Sequence, residues 1–407
     1  MSNSVMKKVE ISDNNVHNKD MLSDLPDCII LHILSFLITK HAVTTCVLSS
    51  RWKDLWKRLP ALIFHISDFR GFRTNKIFSE FVSKVLSLRD PSVSLHTLDY
   101  ENISHLLEPQ ALESIVNYAF SHNVQRIRLS VTTGIAQIPV ALFSSQNLTH
   151  LSLSISICYG CENLFPKSLN LPVLSTLELE NFTFFVGDND CAEPFSTFNR
   201  LNRLLISHCN VENWGTLCIS SATLVDFTMY NDSDDYYKIE LCTPSLYTFA
   251  FRGVPYHDIS WSNISSLKHV DIDAEVFPYT CYGPPLFLFN WLSEFANIKS
   301  LTVTATTLKV LSLIPGLLKF KIPSLGKLKS LKVKIDEIQC GLLTLSNDKL
   351  QDVKSKKEAA MIHKAFDLGL ELSPLELDGV VDFVLQNPPS VKVDIVDCGK
   401  KLLRKRH

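Results

Sequence analysis

Residues 201–211 read LNRLLISHCNV, and the apolar residues of this stretch stand at regular positions. Leu201, Leu204 and Ile206 form the pattern L-x-x-L-x-L, and Cys209 occupies the consensus position that follows it. Apolar residues two apart predict a β-strand with one buried face. Such a unit cannot bury its leucines alone, so we expect neighbouring units to stack on it and complete a core.

The same pattern recurs through the body of the chain, with other apolar residues allowed at each position. Ten matches occur, and their first positions lie 21 to 31 residues apart. The matches are Leu95–Leu98–Tyr100, Val124–Ile127–Leu129, Leu148–Leu151–Leu153, Leu174–Leu177–Leu179, Leu201–Leu204–Ile206, Leu224–Phe227–Met229, Leu246–Phe249–Phe251, Leu267–Val270–Ile272, Ile298–Leu301–Val303 and Leu328–Leu331–Val333. Unrelated strands of a globular α/β domain would not keep so constant a period. The array resembles leucine-rich repeats, which implies a solenoid with a parallel sheet on its concave side and longer connections on its convex side.

A second informative stretch precedes the repeats. Residues 21–59 read MLSDLPDCIILHILSFLITKHAVTTCVLSSRWKDLWKRL, and Pro26 suits the first turn of a helix. Apolar residues then recur at steps of three and four in three segments, which predicts three short helices. The segments contain Ile29, Ile33, Leu34 and Leu37; Val43, Cys46 and Val47; and Trp52, Leu55, Trp56 and Leu59. Because about forty residues barely support an independent core, we expect this unit to complete its core on a partner.

The order LPD, ILSFL and VLSSRWKDLW in this stretch resembles the F-box. An ordinary small helical bundle without a partner would explain the apolar periodicity but not the whole ordered motif. The resemblance implies binding to the Skp adaptor of a Skp–cullin–F-box ubiquitin ligase. The adaptor-binding residues that it implies are Leu25, Pro26, Ile29, Ile33, Leu37, Val47, Leu48, Trp52 and Trp56. Some of these must instead form the core of the unit, and the sequence does not separate the two sets.

An F-box directly ahead of the repeats resembles the plant-type F-box/leucine-rich-repeat proteins, and the resemblance covers roughly residues 20 to 340. The predicted fold class is α/β, with a three-helix F-box, an irregular repeat solenoid and a C-terminal helix-strand cap. The cap prediction rests on Ser373-Pro374-Leu375-Glu376, which can begin a helix, and on the alternating sequence VKVDIVDC. The predicted parts are a flexible N-terminus (1–19), the F-box (20–65), the repeats (66–341), the cap (342–398) and a basic tail (399–407). We interpret the tail as solvated; a nuclear-import signal is the alternative.

Composition limits the possible partners and compartments. The net charge of −2 over 407 residues gives no overall attraction to nucleic acid or to an anionic membrane. No apolar segment is long enough for a membrane span, and Lys7, Lys8 and Glu10 do not precede a secretory apolar region. The eleven scattered cysteines predict buried free thiols in a reducing compartment. We therefore expect the cytoplasm, the nucleus or both.

Catalytic and cofactor motifs are missing from the sequence. No two of the thirteen glycines lie closer than ten residues, which excludes the glycine-rich phosphate loops and the G-x-S-x-G nucleophile elbow. Cys158 and Cys161 form the one C-x-x-C, without a second pair at zinc-ligand spacing. The His208-Cys209 pair falls in a repeat consensus position, where we expect core packing, and we expect the acidic run 232–235 to be a solvated turn. The sequence predicts no enzyme, no cofactor and no metal.

The two resemblances together imply a substrate-recruiting subunit that binds the Skp adaptor, and through it a cullin, with the F-box, and a target protein with the repeats. A small-molecule co-receptor of the same architecture and a scaffold outside ubiquitin transfer remain alternatives. Alternation places polar strand residues on the concave face. These residues are Arg126, Arg128, Glu178, Glu180, Arg203, Asp226, Tyr230, Arg252, His269, Asp271, Asp273, Lys332 and Lys334. Within this set we expect the target-binding residues to be Arg203, Asp226, Tyr230, Arg252, His269, Asp271 and Asp273, because both charge signs are mixed there with aromatic rings.

Overall fold

A computed structural model gives the architecture of most of the chain. The residues that it describes are 24–69, 74–103, 109–132, 134–156, 163–167, 169–187, 189–233, 236–275, 283–312, 323–335 and 391–397. Within these ranges, no helix is both long enough and apolar enough to cross a membrane.

Short helices precede and connect the strands. The α-helices are α1 (Asp27–Leu34), α2 (Thr39–Thr44), α3 (Thr74–Leu88), α4 (Pro109–Ser121), α5 (Gly283–Glu294) and α6 (Ala305–Ser312). The predicted third helix of the N-terminal unit is instead a turn followed by a 3₁₀-helix, Leu55–Arg58. Pro60 explains this difference, because the residue before a proline avoids the helical conformation, and Leu59 is extended (φ −62°, ψ 132°).

The strands form one large parallel sheet. Its twelve members, in spatial order, are β1 (Ala61–His65), β2 (Thr97–Asn102), β3 (Arg126–Val131), β4 (His150–Ile155), β5 (Thr176–Glu180), β8 (Arg203–Ser207), β11 (Asp226–Asn231), β13 (Thr248–Gly253), β15 (His269–Ala274), β16 (Ser300–Thr304), β17 (Ser330–Ile335) and β18 (Lys392–Asp397). Spatial order follows chain order, and every neighbouring pair is parallel. The predicted α/β fold class with a parallel repeat sheet is confirmed.

The repeat pattern marks the core of this sheet. All thirty apolar positions of the ten matches are at most 3% exposed. Equivalent leucines of successive strands are in register, as Leu151, Leu177 and Leu204 show. The aligned leucines make one continuous core, because each strand covers the apolar side chains of its neighbours.

An eleventh unit lies at the end of the N-terminal segment, where the sequence analysis placed a helix. Leu59, Leu62 and Phe64 are buried, and β1 pairs with β2 in the common register. The amide of Ile63 donates to Oγ1 of the buried Thr39 at 2.7 Å, which attaches α2 to this first strand. The small helical unit therefore completes its own core on the repeats, since a single apolar cluster runs from the helices into the sheet.

A second parallel sheet covers the middle of the array, where only connections were expected. Its strands, in chain order, are β7 (Cys191–Ala192), β10 (Thr216–Ser220), β12 (Lys238–Cys242) and β14 (Asp258–Ser262). Two further short strands, β6 (Thr183–Phe184) and β9 (Asn210–Val211), form a separate parallel pair. The two layers meet at aromatic contacts such as Phe249 with Trp261, whose ring centroids are 4.9 Å apart. Apolar and polar residues alternate in TLCIS and KIELC, as is typical of β-strands. The repeats in this part of the chain are short, so their connections form strands and not helices.

Two expectations about side-chain burial need correction. Cys209 and Cys218 are buried free thiols as expected, but Cys28 and Cys242 are exposed, because they lie on outward-facing positions of α1 and β12. The predicted cap strand exists as β18. Its apolar side chains Val393 and Ile395 remain exposed although they align with the buried Leu331 and Val333. The predicted cap helix, the tail and Cys158–Cys161 lie outside the described residues.

Candidate protein-interaction surfaces

Helix α1 divides its apolar residues between two faces. Ile30 and Leu34 are buried in the core, whereas Ile29 and Ile33, each about 100° away around the helix, are exposed. Phe36 continues the exposed side at the next helical spacing and is 73% exposed. The apolar stripe expected from the sequence is therefore buried along one side and exposed to solvent along the other.

A second exposed apolar pair follows α2. Val47 and Leu48 are 82% and 63% exposed, although the sequence predicted that Val47 lies on the apolar face of a helix. Thr45–Val47 form one 3₁₀ turn, which ends the α-helical periodicity and turns Val47 outward. Clustered exposure of large apolar residues is typical of protein-binding surfaces. We call Ile29, Ile33, Phe36, Val47 and Leu48 the apolar surface.

The structure separates the nine candidate adaptor-binding residues into core and surface. Trp52 and Trp56 are 5% and 6% exposed, so they pack beneath the surface. Leu25 and Leu37 are partly buried against the same core. The exposed members are Pro26, Ile29, Ile33, Val47 and Leu48. Sequence reasoning missed Phe36, whose spacing of three from Ile33 and seven from Ile29 was the available signal.

An ionic network joins the two ends of this unit. The guanidinium of Arg51 donates from Nη2 to Oδ1 of Asp27 at 2.7 Å and from Nε to the same oxygen at 3.1 Å. Nη2 also donates to the carbonyl oxygen of Leu25. Arg58 approaches the other carboxylate oxygen of Asp27 at 3.7 Å. The LPD turn is thus tied to the segment that carries the tryptophans.

The face of the twelve-stranded sheet opposite the buried leucines, here called the open face, carries the polar strand residues. None of the seven candidate target-binding residues is buried, as the alternation predicted. Strand register places them in three rows across the sheet. Arg203, Asp226 and His269 share the first row, Asp271 lies in the second, and Tyr230, Arg252 and Asp273 share the third.

Several charges on the open face are paired with one another. Arg203 Nη2 lies 3.2 Å from Asp226 Oδ2, and Lys334 Nζ lies 2.9 Å from Asp271 Oδ2 across two strand intervals. The guanidinium of Arg252 lies over the Tyr230 ring, 5.5 Å from its centroid. Such pairs contribute little to stability at an exposed site, but they hold side chains in a defined arrangement that a partner can recognise.

His208 belongs to the open face and not to the core, which corrects one expectation. Its backbone is left-handed (φ 49°), so the ring turns out of the strand while Cys209 packs inward. Nε2 lies 2.9 Å from Asp232, and Nδ1 lies 3.8 Å from Glu180. Interaction with Glu180 is the largest single cause of the raised pKa of His208, and Asp232 raises that pKa further. The neighbouring imidazole of His208 in turn lowers the pKa of Glu180.

Carboxylates dominate the corner of the open face beside this histidine. Burial raises the pKa of Glu275, and the nearby charges of Asp273 and Asp232 raise it further.

Burial of Cys209 raises the pKa of its thiol to about 12, so this thiol packs and is not a nucleophile at neutral pH. Among the described residues, no three His, Cys, Asp or Glu side chains are arranged to hold a metal ion.

The loops that precede four neighbouring strands enclose a shallow groove of about 510 Å³. Its lining is polar except for one valine, and consists of Asn123, Gln125, Gln146, Asn147, Thr149, Val173 and Arg200. The hydroxyl of Thr149 donates to the carbonyl of Gln125 at 3.0 Å and closes the floor. A groove this open and polar does not have the enclosed apolar lining that small-molecule sites usually have.

Comparisons with known proteins agree with these features. Residues 22–64 match the F-box domain family. A putative F-box/FBD/LRR-repeat protein of Arabidopsis thaliana is 34% identical over 217 residues, which cover 53% of this chain and 49% of that protein. An F-box protein of the same plant is 26% identical over 339 residues, 80% of each chain. A further F-box/FBD/LRR-repeat protein is 26% identical over 315 residues, 72% of this chain and 67% of its own. The chain thus spans about half the length of the first of these relatives.

Proposed function

We propose that this chain, which has an F-box domain and resembles F-box/LRR-repeat proteins of Arabidopsis, is the substrate-recognition subunit of a Skp–cullin–F-box ubiquitin ligase. The F-box binds the Skp adaptor, the adaptor connects it to a cullin, and the open face of the repeats binds a target protein. The subunit carries out no chemistry of its own. It holds target lysines close to a ubiquitin-loaded enzyme, and proximity of this kind replaces an entropically costly encounter.

The observation that supports adaptor binding best is the apolar surface. Five large apolar residues of one small unit are exposed to solvent, while Trp52 and Trp56 of the same unit are buried. Exposed aliphatic and aromatic residues on a well-packed unit are typical anchors of a protein interface. The F-box supplies this surface at the N-terminal end of the array, which leaves the open face available to another protein.

The rigid connection between F-box and repeats supports the positioning role. One apolar cluster extends from Ile30 in α1 to Val333 in β17. A target on the open face is therefore held at a fixed distance from the adaptor, which a flexible linker would not achieve. We place this assembly in the cytoplasm, the nucleus or both, where Skp–cullin complexes act.

Reconstitution tests the proposal. The purified full-length chain should co-elute with a Skp adaptor in size-exclusion chromatography and should bring a cullin into the same peak. Replacing Leu25 and Pro26 together with alanine should remove the adaptor from the peak, while circular dichroism shows an intact repeat domain. Failure of the wild-type chain to co-elute with the adaptor would overturn the proposal.

The role of the open face has its own test. Reversing charge at Asp271 and Asp273 should reduce the set of proteins captured from proteasome-inhibited cells without reducing adaptor binding. Matched reversals at Glu193 and Glu212, which lie away from the open face, should leave capture unchanged. Equal capture by both double variants would place target recognition on another surface.

The two alternatives give different outcomes in the same assays. A small-molecule co-receptor would capture its target only when the small molecule is added to washed protein. A scaffold outside ubiquitin transfer would bind the adaptor without bringing a cullin into the complex. Capture without an added ligand, together with cullin co-elution, is the result that our proposal requires.

A further inference from the structure

The turn that begins the F-box is held by a residue from the far end of the motif. Arg51 lies 26 residues after Leu25 and 24 after Asp27, and its guanidinium contacts both. Nη2 donates to the Leu25 carbonyl and to Asp27 Oδ1, and Nε donates to the same carboxylate oxygen. Pro26, the residue between them, stands at the N-cap of α1 without a side-chain cap of its own.

The geometry makes this contact specific to an arginine. A planar guanidinium presents several N–H groups in a fixed fork and can satisfy a carboxylate and a carbonyl at once, whereas a lysine ammonium lacks that fork. The Pro26 carbonyl accepts from the amides of Ile29 and Ile30 at 3.0 and 3.2 Å, so it starts α1. The Arg51 contact joins both ends of the Leu25–Asp27 turn to the segment that follows Val47 and Leu48, whereas Arg58 approaches Asp27 at the longer distance of 3.7 Å.

We propose that Arg51 is a positioning residue of the adaptor-binding site, which fixes the Leu25–Asp27 turn relative to Val47 and Leu48 before the adaptor arrives. The inference rests on the proposed function, because it assumes that the apolar surface binds the adaptor. Both groups must meet the partner together. If the free protein rarely adopted the arrangement that binds, its affinity for the adaptor would fall by that fraction. A turn that is already held in this arrangement avoids the loss.

Arg58 provides a matched control on the same carboxylate. It approaches Asp27 Oδ2 at 3.7 Å, and no contact to Leu25 is recorded for it among the described residues. Both arginine side chains are partly exposed, at 35% for Arg51 and 50% for Arg58. Removing either one changes the net charge by the same amount, so a difference between the two variants reports the contact with the turn and not the charge.

The test is isothermal titration calorimetry of a purified Skp adaptor against the full-length chain and three variants: Arg51→Gln, Arg51→Lys and Arg58→Gln. We expect Arg51→Gln to weaken binding about five- to tenfold, because the Leu25–Asp27 turn would then adopt several conformations, of which one binds the adaptor. Arg51→Lys should lie between Arg51→Gln and wild type, and Arg58→Gln should bind within about twofold of wild type, as exposed ion pairs contribute little. Hydrogen exchange at the Ile29 and Ile30 amides should accelerate in Arg51→Gln while the melting temperature stays unchanged.

The outcomes separate cleanly. Wild-type affinity in Arg51→Gln, or equal losses in Arg51→Gln and Arg58→Gln, would overturn the positioning role while leaving adaptor binding intact. If Arg51→Gln has a lowered melting temperature, the Arg51→Lys variant decides the question. Weakened adaptor binding by Arg51→Lys at an unchanged melting temperature supports the positioning role. Wild-type binding by Arg51→Lys overturns it. Absence of binding by the wild-type chain would instead overturn the proposed function.

Discussion

Arg89 donates from Nη2 to the carbonyl oxygen of Leu59 at 2.9 Å, and so links the helix α3 region to the last residue of the F-box motif. The arginine is almost completely buried. It also donates to the carbonyls of Val93 at 2.8 Å and Ser94 at 2.9 Å. Leu59 lies in the F-box segment, and Val93 and Ser94 directly precede Leu95 of the first repeat match, so Arg89 joins the F-box to the repeats.

Replacing Arg89 with methionine should destabilise the whole chain. The aliphatic part of the side chain is retained, but three carbonyls lose their charged donor, and each buried unsatisfied group costs about 1–3 kcal/mol. Urea unfolding measures the loss. The same replacement at the exposed Arg58 should change the free energy of unfolding by less than about 1 kcal/mol, and equal effects would mean that Arg89 does not hold the junction.

Leu204→Ala should lower the free energy of unfolding by about 2–5 kcal/mol, because the side chain is fully buried between neighbouring strands. The adjacent Arg203 points to the open face, where its pair with Asp226 is exposed, so Arg203→Ala should cost less than about 1 kcal/mol. Thermal denaturation of both variants checks the strand register. Similar losses at the two positions would contradict it.

Gly253 occupies a backbone conformation that other residues avoid. Its φ is +104°, and a Cβ built there would lie 1.9 Å from the carbonyl oxygen of Asn231 on the neighbouring strand. Gly253→Ala should therefore destabilise the protein by more than the roughly 0.4–1 kcal/mol that a strain-free replacement would gain. Gly326→Ala is the control, since nothing lies within 4 Å of its added Cβ. A stable Gly253→Ala protein would show that the strands are spaced differently.

The ion pairs of His208 predict a pH dependence. The folded-state pKa of His208 is raised. Its contribution to the free energy of unfolding is therefore present below the unfolded-state pKa and is lost as the pH rises through the folded-state pKa. The folded-state pKa of Glu180 is lowered, so the contribution of Glu180 is lost as the pH falls through its folded-state pKa. His208→Asn, which also tolerates positive φ, should remove the loss of stability that wild type shows as the pH rises above the ordinary pKa of histidine. Melting curves across this range test it, and parallel curves for wild type and variant would refute the pairing.

The sequence predicted the repeat core almost completely, because burial of apolar residues two apart is a local signal that each strand carries. The first repeat was missed because Leu59 also continues the helical spacing of Trp52, Leu55 and Trp56, and Pro60 was the signal against a helix there. The second sheet was missed because its strands lie between the repeat matches, in segments that were expected to be connections only. Alternation did locate the open face, including Asp271 and Asp273.

The sequence predicted the apolar surface only in part. Spacing identified the apolar residues of α1 and of the segment after it, but periodicity does not say which side of a short helix packs inward. Trp56 lies in the 3₁₀-helix Leu55–Arg58, which packs against α1 and α2, and no local pattern reports such contacts between distant residues. The spacing of Phe36 was a signal that was not used, whereas the contacts of Arg51 emerged only from the folded arrangement. Whether these residues contact the Skp adaptor is the remaining prediction.

The most direct test of the central claim compares two valines of equal exposure. Val47 on the apolar surface is 82% exposed, and Val140 in the repeats is 79% exposed. If the apolar surface binds the Skp adaptor, Val47→Asp should cost about 2 kcal/mol or more of binding free energy, a weakening of about thirtyfold in Kd, whereas Val140→Asp should bind as wild type does. Equal affinities of the two variants for the adaptor would contradict the account.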